Sequence, residues 1–92
     1  MAKVYRGQVY AKSDTAGADA ARRFETSAKK LNWAAIQVTT KAQLFGDSGS
    51  QPVSYGADAT FEFENVDIST LYFRNAASGQ NGTVSIVGIL AD

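Results

Sequence analysis

The stretch Val53–Asn75, VSYGADATFEFENVDISTLYFRN, contains the clearest strand pattern of this chain. In its middle, apolar residues alternate with polar ones: Ala59, Phe61 and Phe63 against Thr60, Glu62 and Glu64. That alternation is typical of a strand with one buried and one solvated face, so Phe61 and Phe63 are predicted core residues. Turn-forming residues precede it at Ser54–Asp58, and corner-forming residues follow at Asn65–Thr70, before a second strand at Leu71–Arg74.

Strand patterns continue on both sides of this centre. Asn32–Thr40 is rich in β-branched residues and alternates in the same way, and Ala42–Gly46 is a shorter strand. Thr83–Leu90 is apolar on both faces, which is typical of a central strand or of one that lies against a neighbouring subunit. Trp33 is expected to cover one end of the core, with an exposed ligand platform as the alternative.

The N-terminal segment Val4–Ala11 favours a strand with two half-apolar faces. Two interpretations stay open, an edge strand or an arm that is completed when a partner covers it. We expect Ala2–Ala11 to contact another subunit by adding to a neighbour's open sheet edge. Ser13–Gly17 then has the composition of a polar connection.

Ala18–Leu31 is the ambiguous segment. Its apolar residues recur at helical spacing, which favours a helix, but the stripe consists mostly of Ala around one Phe. The competing interpretation is a short strand at Ala21–Thr26 followed by a turn at Ser27–Lys30.

About seven short strands joined by turns predict an all-β fold, a small antiparallel β-sandwich or jelly-roll-like domain. The prediction is one domain over residues 1–92, with 1–12 as an N-terminal arm or edge strand.

Composition excludes several classes of function. The 92 residues include no Cys and no His, so thiolate chemistry and the common transition-metal sites are absent. Nine basic and nine acidic residues cancel, which gives no overall field for binding nucleic acid. No apolar run is long enough for a membrane helix, and the N-terminus lacks the apolar core of a secretion signal. We therefore expect no enzyme, no cofactor, no metal, no nucleic-acid partner and no membrane partner.

Two groups of charges need an interpretation. Glu62 and Glu64 share a strand face, where carboxylates can hold calcium or do acid–base chemistry, but a solvated edge is the simpler prediction. The basic pairs Arg22-Arg23 and Lys29-Lys30 are predicted to be solvated, or paired across a subunit boundary.

Four stretches resemble a family of small tailed-bacteriophage virion proteins. They are ARRFET leading to NWAAIQVTT, then QLFGDSG, then SYGAD before TFEFENVDISTLYF, and finally GTVSIVG. The resemblance covers about three quarters of the chain from Arg22 onward, and it favours the strand at Ala21–Thr26. It departs in the turn before the central strand, where Tyr-Gly-Ala-Asp replaces a Pro-Gly-rich sequence.

The resemblance implies a β-sandwich outside the capsid, as a decoration or cement protein or as the base of a head fibre. The expected partner is the major capsid protein, with homo-oligomerisation as a dimer or trimer, assembly in the host cytoplasm and final location on the virion. The alternative function is a carbohydrate-binding or host-surface-binding module that stacks sugars on Trp33 or on Tyr residues. The expected partner-interface residues are Val4, Tyr5, Val9, Tyr10, Trp33, Val87 and Ile89.

Overall fold

The computed structural model describes residues 7–15, 21–77 and 82–91, and these form seven strands in two antiparallel sheets. The strands are β1 (Val9–Thr15), β2 (Lys30–Thr40), β3 (Gln43–Gly46), β4 (Val53–Tyr55), β5 (Thr60–Asp67), β6 (Tyr72–Asn75) and β7 (Thr83–Leu90). A one-turn 3-10 helix, Ile68–Thr70, separates β5 from β6. The predicted all-β fold of two antiparallel sheets and seven strands is confirmed.

The larger sheet has the order β1-β7-β2-β5, and the smaller has the order β4-β3-β6. Strand β7 lies between β1 and β2 and pairs with both of them. Its core-facing residues Val84 and Ile86 are buried, whereas Val87 on the opposite face is exposed. The prediction of a central strand at Thr83–Leu90 is confirmed.

The core lies between the inner faces of the two sheets. Phe73 is fully buried in β6, with its ring centroid 4.9 Å from that of Phe24 and 5.9 Å from that of Phe45. Phe61 and Phe63 point inward as predicted, but they are half-buried and pack against the core instead of lying within it. Their strand, β5, is an edge of the larger sheet, and no strand formed by residues 7–15, 21–77 and 82–91 lies beyond it.

The segment from Ala21 to Lys29 is neither of the elements expected for it. It contains no helix, and its only β-pairing is an isolated bridge in which Arg22 and Phe73 exchange two backbone hydrogen bonds of 2.8 and 2.7 Å. Phe24 is buried, whereas Ala28 of the expected helical stripe is exposed. Phe24 anchors this segment in the core as an irregular strap, and the alanines add too little burial to favour a helix. Ala18 to Ala20 lie outside the described residues.

Two strand boundaries also differ from those expected. Strand β1 starts at Val9 and includes Ser13–Thr15, which the sequence assigned to a connection, because these residues pair in register with Thr83–Ser85 of β7. Strand β4 occupies Val53–Tyr55, part of which was assigned to a turn, because it pairs with β3 and stacks Tyr55 on Phe61. In both places a partner strand overrides the local turn composition.

The corner predicted at Asn65–Thr70 is confirmed, and Asp67 stabilises it. One oxygen of its carboxylate accepts hydrogen bonds from the Ser69 hydroxyl (2.7 Å), the Ser69 amide (3.0 Å) and the Lys29 amide (3.1 Å). These bonds favour the charged form and lower the pKa of Asp67, with the Ser69 side chain as the largest cause. The corner thus ties β5 to the segment that leads into β2.

Candidate functional site

On the outer face of the larger sheet, the strand register aligns two neighbouring rows of side chains, each with three apolar residues and a glutamate at the β5 end. The first row runs across the sheet as Val9, Ile89, Trp33 and Glu64, and the second as Ala11, Val87, Ala35 and Glu62. Directly paired residues of antiparallel strands project from the same face, so each row is continuous from β1 to β5. We call the six apolar residues of these rows the outer stripe; the two glutamates border it on β5.

The outer stripe is exposed at two of its large side chains. The exposed fraction is 64% for Val9 and 42% for Val87, and these are two of the three large hydrophobic residues that are exposed in the described part of the chain. The next row of the same face is polar and consists of Ser13, Ser85, Gln37 and Thr60. A shallow depression of about 240 Å³ lies where the apolar and polar halves meet, next to Val87. One half of the sheet face is therefore suited to contact with another apolar surface, and the other half to water.

Trp33 lies near the middle of the outer stripe instead of covering an end of the core, which corrects the expectation from sequence. It is half-buried, and its indole Nε1 donates a hydrogen bond of 2.7 Å to Oε1 of Glu62 on the neighbouring strand. This bond satisfies the polar end of the ring while the rest of the ring adds apolar area to the stripe. Glu62 is exposed and stands at the border of the stripe.

Four of the expected interface residues, Val9, Trp33, Val87 and Ile89, come together in the outer stripe. Tyr10 is on the opposite face of β1, because it pairs with Gly88, which is buried on the core side of β7. Val4 and Tyr5 lie outside the described residues. Sequence reasoning did not find Ala11 and Ala35, whose small side chains give no signal of their own.

Tyr10 instead belongs to a polar cluster that fastens the strap to β1. Its hydroxyl donates a hydrogen bond of 2.6 Å to Glu25, and the Lys12 ammonium lies 3.0 Å from the same carboxylate oxygen. Burial, followed by the bond to Glu25, raises the pKa of Tyr10, and the bonds from Tyr10 and Lys12 lower the pKa of Glu25. The phenol therefore keeps its proton and the carboxylate keeps its charge, which suits a structural clamp better than proton transfer.

The basic residues of the strap have partners within the chain. The Arg22 guanidinium lies 2.6 Å from the Asp14 carboxylate, and Arg23 lies over the ring of Tyr72 at 5.1 Å from the centroid. Lys29 lies 6.0 Å from the centroid of the Tyr10 ring. The prediction that Arg22 and Arg23 are solvated or paired across a subunit boundary is wrong, because they bind elements of their own fold.

A second apolar opening separates the edge strands β4 and β5. It has a volume of about 410 Å³, and its lining includes Phe45, Tyr55, Phe61 and Phe63. Tyr55 and Phe61 stack with centroids 4.3 Å apart and an interplanar angle of 14°. The rings pack mainly on one another, so this opening extends the core to the surface.

Other kinds of site are not formed by the described residues. Within residues 7–15, 21–77 and 82–91, no three acidic side chains come together in a group that could hold a metal ion. In the same part of the chain, no helix has the length and apolar character needed to cross a membrane. Comparison of the sequence with protein-family models and with curated proteins finds no match.

Proposed function

We propose that this chain is a non-enzymatic structural protein of a tailed-bacteriophage virion, which decorates or cements the capsid by binding the major capsid protein through the outer stripe. The observation that carries the proposal is the pair of contiguous apolar rows on one sheet face. Single exposed apolar residues are common on protein surfaces, but contiguous ones favour an interaction surface.

The family resemblance supports the location of this surface on a virion. It implied a β-sandwich, and the chain folds as one. A chain without Cys or His, with charges that cancel, suits a part that adds contact area and carries out no reaction.

The borders of the outer stripe give the contact a direction. An apolar centre supplies binding energy when water is removed, and charges at the rim select the orientation of the partner. Glu62 and Glu64 lie only on the β5 side, so the matching capsid surface has an apolar centre with basic residues along one side. Self-association as a dimer or trimer is part of the proposal. It is supported by the position of β1 and β5, which are the edge strands of the larger sheet among the described residues, and edge strands can pair with another chain.

A charge placed in the stripe tests the proposal. Val87→Lys puts an ammonium group in the apolar centre, and Ser85→Lys is the matched control two residues away on the same face of β7. In co-sedimentation with empty capsids of the source phage, we expect Val87→Lys to weaken binding by about tenfold or more, the equivalent of roughly 1.4 kcal/mol. Ser85→Lys is expected to bind like the wild type.

Two results would contradict the proposal. One is a wild-type chain that does not co-sediment with capsids, and the other is equal binding by the two lysine variants. Light scattering on the purified chain measures self-association separately, and a strictly monomeric chain at high concentration contradicts that part alone.

A carbohydrate-binding module is the second candidate. It is favoured by the position of Trp33 beside the carboxylate of Glu62, because an aromatic ring next to hydrogen-bond acceptors is suited to a sugar with its apolar face and hydroxyl groups. Glycan-array binding that is lost in Trp33→Ala and kept in Ser85→Lys would favour this candidate. Capsid binding without glycan binding would favour the virion protein.

A further inference from the structure

The two edge strands of the larger sheet are not equally suited to pairing with another molecule. We infer that β1 (Val9–Thr15) pairs antiparallel with β1 of a second copy of this chain, with Ala11 opposite Ala11 of that copy, so that two copies share one continuous larger sheet. The inference rests on the self-association that is part of the proposed function, and it names the surface and the symmetry. Among the strands that the structure describes, β1 has β7 as its one neighbour.

The backbone groups along the edge of β1 belong to alternate residues. In an antiparallel pair, a residue that exchanges hydrogen bonds with the neighbouring strand is followed by one whose amide and carbonyl point away from it. Leu90 donates a hydrogen bond of 2.8 Å to the Gln8 carbonyl, and the register of β1 with β7 is unbroken from there on. The even-numbered residues of β1 are therefore directed at β7. The groups directed at the edge are those of Val9, Ala11, Ser13 and Thr15.

The side chains of β1 do not oppose pairing at this edge. The four residues directed at the edge are neutral, exposed and on the outer face of the sheet. Lys12 and Asp14 lie on the opposite face, where Lys12 donates a hydrogen bond of 2.9 Å to the Phe24 carbonyl and lies 3.0 Å from the Glu25 carboxylate. Asp14 lies 2.6 Å from the guanidinium of Arg22. Charges on the inner face commonly protect an edge strand, but these charges are compensated by the strap of the same chain.

The other edge strand, β5, is protected against pairing. Glu62 and Glu64 lie on its outer face, where a second copy of the strand would bring like charges together. Asp58, just before the strand, and Asn65, within it, have φ values of 69° and 52°, so the regular extended backbone is limited to the residues between them. Charged side chains and breaks in the extended backbone are both means by which edge strands avoid association. The edge suited to association is therefore β1.

The inner face of β1 selects the register. Full overlap of the two strands would place Lys12 directly opposite Lys12 of the second copy, and like charges in that position are destabilising. Centring the pair on Ala11 places Lys12 opposite Tyr10 instead, and the edge groups of Val9, Ala11 and Ser13 still find partners. Each copy uses the same edge, so the contact is two-fold symmetric and association stops at two copies.

This pairing joins the outer stripes of the two copies. Residues that are directly paired in antiparallel strands project from the same face, so the second row of each stripe meets the other at Ala11. The combined row is Ala35, Val87 and Ala11 of one copy followed by the same residues of the other in reverse order, with Glu62 at both ends. The capsid surface of the proposed function is thereby matched to a two-fold-symmetric apolar band.

Ala11→Pro tests the edge without changing the pairing of β1 with β7. The Ala11 amide points away from β7, so proline is tolerated there, whereas the dimer loses the two hydrogen bonds that these amides donate at its centre. We expect dimerisation to weaken by about tenfold or more in sedimentation equilibrium, while circular dichroism still shows the β fold. Ala11→Ser, which keeps the amide, is the matched control and is expected to dimerise like the wild type.

Disulfide trapping tests the register with the backbone intact. The sequence has no Cys, so a single introduced Cys can only cross-link to its counterpart in another copy. Directly opposite residues of a hydrogen-bonded pair have Cα atoms about 5.5 Å apart, which a disulfide can span. We expect Ala11→Cys to form a covalent dimer on mild oxidation. Thr60→Cys, which is exposed on the same face at the β5 edge, is the control and is expected to remain monomeric.

Three outcomes would overturn the inference. A strictly monomeric wild type overturns it together with the self-association part of the proposed function, whereas capsid binding is measured separately and can still hold. A dimer that Ala11→Pro does not weaken shows that another surface associates. Cross-linking of Thr60→Cys as fast as that of Ala11→Cys, or none in Ala11→Cys, shows that the β1 edges are not paired at this register. If Ala11→Pro unfolds, the cross-linking result decides the question.

Discussion

Replacement of Phe73 by Ala tests the description of the core. Phe73 is fully buried. Its ring contacts those of Phe24 and Phe45, and its backbone forms a bridge with Arg22. The bridge uses only main-chain atoms, so the substitution removes the ring and leaves the bridge. Loss of a buried phenylalanine ring costs about 3–5 kcal/mol of unfolding free energy.

That cost is large for a chain of this size. A domain of 92 residues has a total unfolding free energy of about 5–14 kcal/mol. Each kcal/mol lowers the melting temperature of such a domain by about 4–8 °C, so Phe73→Ala is expected to melt roughly 12–40 °C below the wild type. Thermal unfolding followed by far-ultraviolet circular dichroism measures the difference.

Two matched variants make the result specific. Tyr72→Ala changes the neighbouring residue, which is half-exposed and contacts Arg23, so it should cost only about 0.5–1 kcal/mol. Phe63→Ala, on the edge strand β5, should fall between the two because its ring is half-buried. The reasoning is refuted if Phe73→Ala melts within about 4 °C of the wild type, or if Phe63→Ala costs as much as Phe73→Ala.

Two further predictions concern the backbone and the carboxylates. In Gly88→Ala, the new methyl group would lie 2.6 Å from the Trp33 carbonyl oxygen, so we expect urea unfolding to show a loss of about 1–3 kcal/mol in unfolding free energy. Gly56→Ala is the control, because a methyl group there meets nothing within 4 Å. Equal urea midpoints for the two variants would contradict the close approach of β7 to β2. The lowered pKa values of Asp67 and Glu25 mean that the folded chain holds these groups charged more strongly than the unfolded chain does. Their contribution to stability is therefore present above the ordinary pKa values of these groups, 3.8 for Asp67 and 4.5 for Glu25, and is lost as the pH falls from there through the lower folded values. Asp67→Asn should flatten the acid side of the stability profile, and a profile parallel to that of the wild type would show that its carboxylate is not the cause.

Much of the fold follows from local pattern. The alternation at Phe61 and Phe63 assigns the inner and outer faces of β5 correctly, because a period of two requires no knowledge of the partner strand. The two apolar faces of Thr83–Leu90 likewise predict a central strand. The degree of burial does not follow in the same way, because it depends on whether β5 has a neighbour on each side.

The errors share a physical cause. Val53–Tyr55 forms a strand because it pairs with β3 and the Tyr55 ring stacks on Phe61, and Phe24 anchors the strap by packing on Phe73. Both contacts join segments that are distant in the sequence, so turn propensity and helical spacing within one segment cannot predict them.

The sequence predicted only part of the candidate site, because the site also depends on contacts between segments that are distant in the sequence. Val87 and Ile89 stood out because they face away from the other apolar residues of their own strand. Their alignment with Val9 and Trp33 depends on the register of three strands, which no single segment specifies. The opening between β4 and β5 gave no signal because the assignment of Tyr55 to a turn concealed one of its walls.

The position of β7 between β1 and β2 also determines how the chain can fold. The last described strand enters the middle of the larger sheet, so among the described strands β1 has no sheet neighbour until residues 83–90 have been synthesised. Before then only the pair β2–β5 and the smaller sheet can assemble, and the backbone groups of β1 that later pair with β7 remain unpaired. The pairing of residue 9 with residue 89 also closes a loop over most of the sequence, which places folding in the slow range of all-β domains, roughly milliseconds to seconds. A ribosome that stalls before β7 would therefore leave β1 and β2 without the strand that pairs with both of them, the kind of intermediate that aggregates.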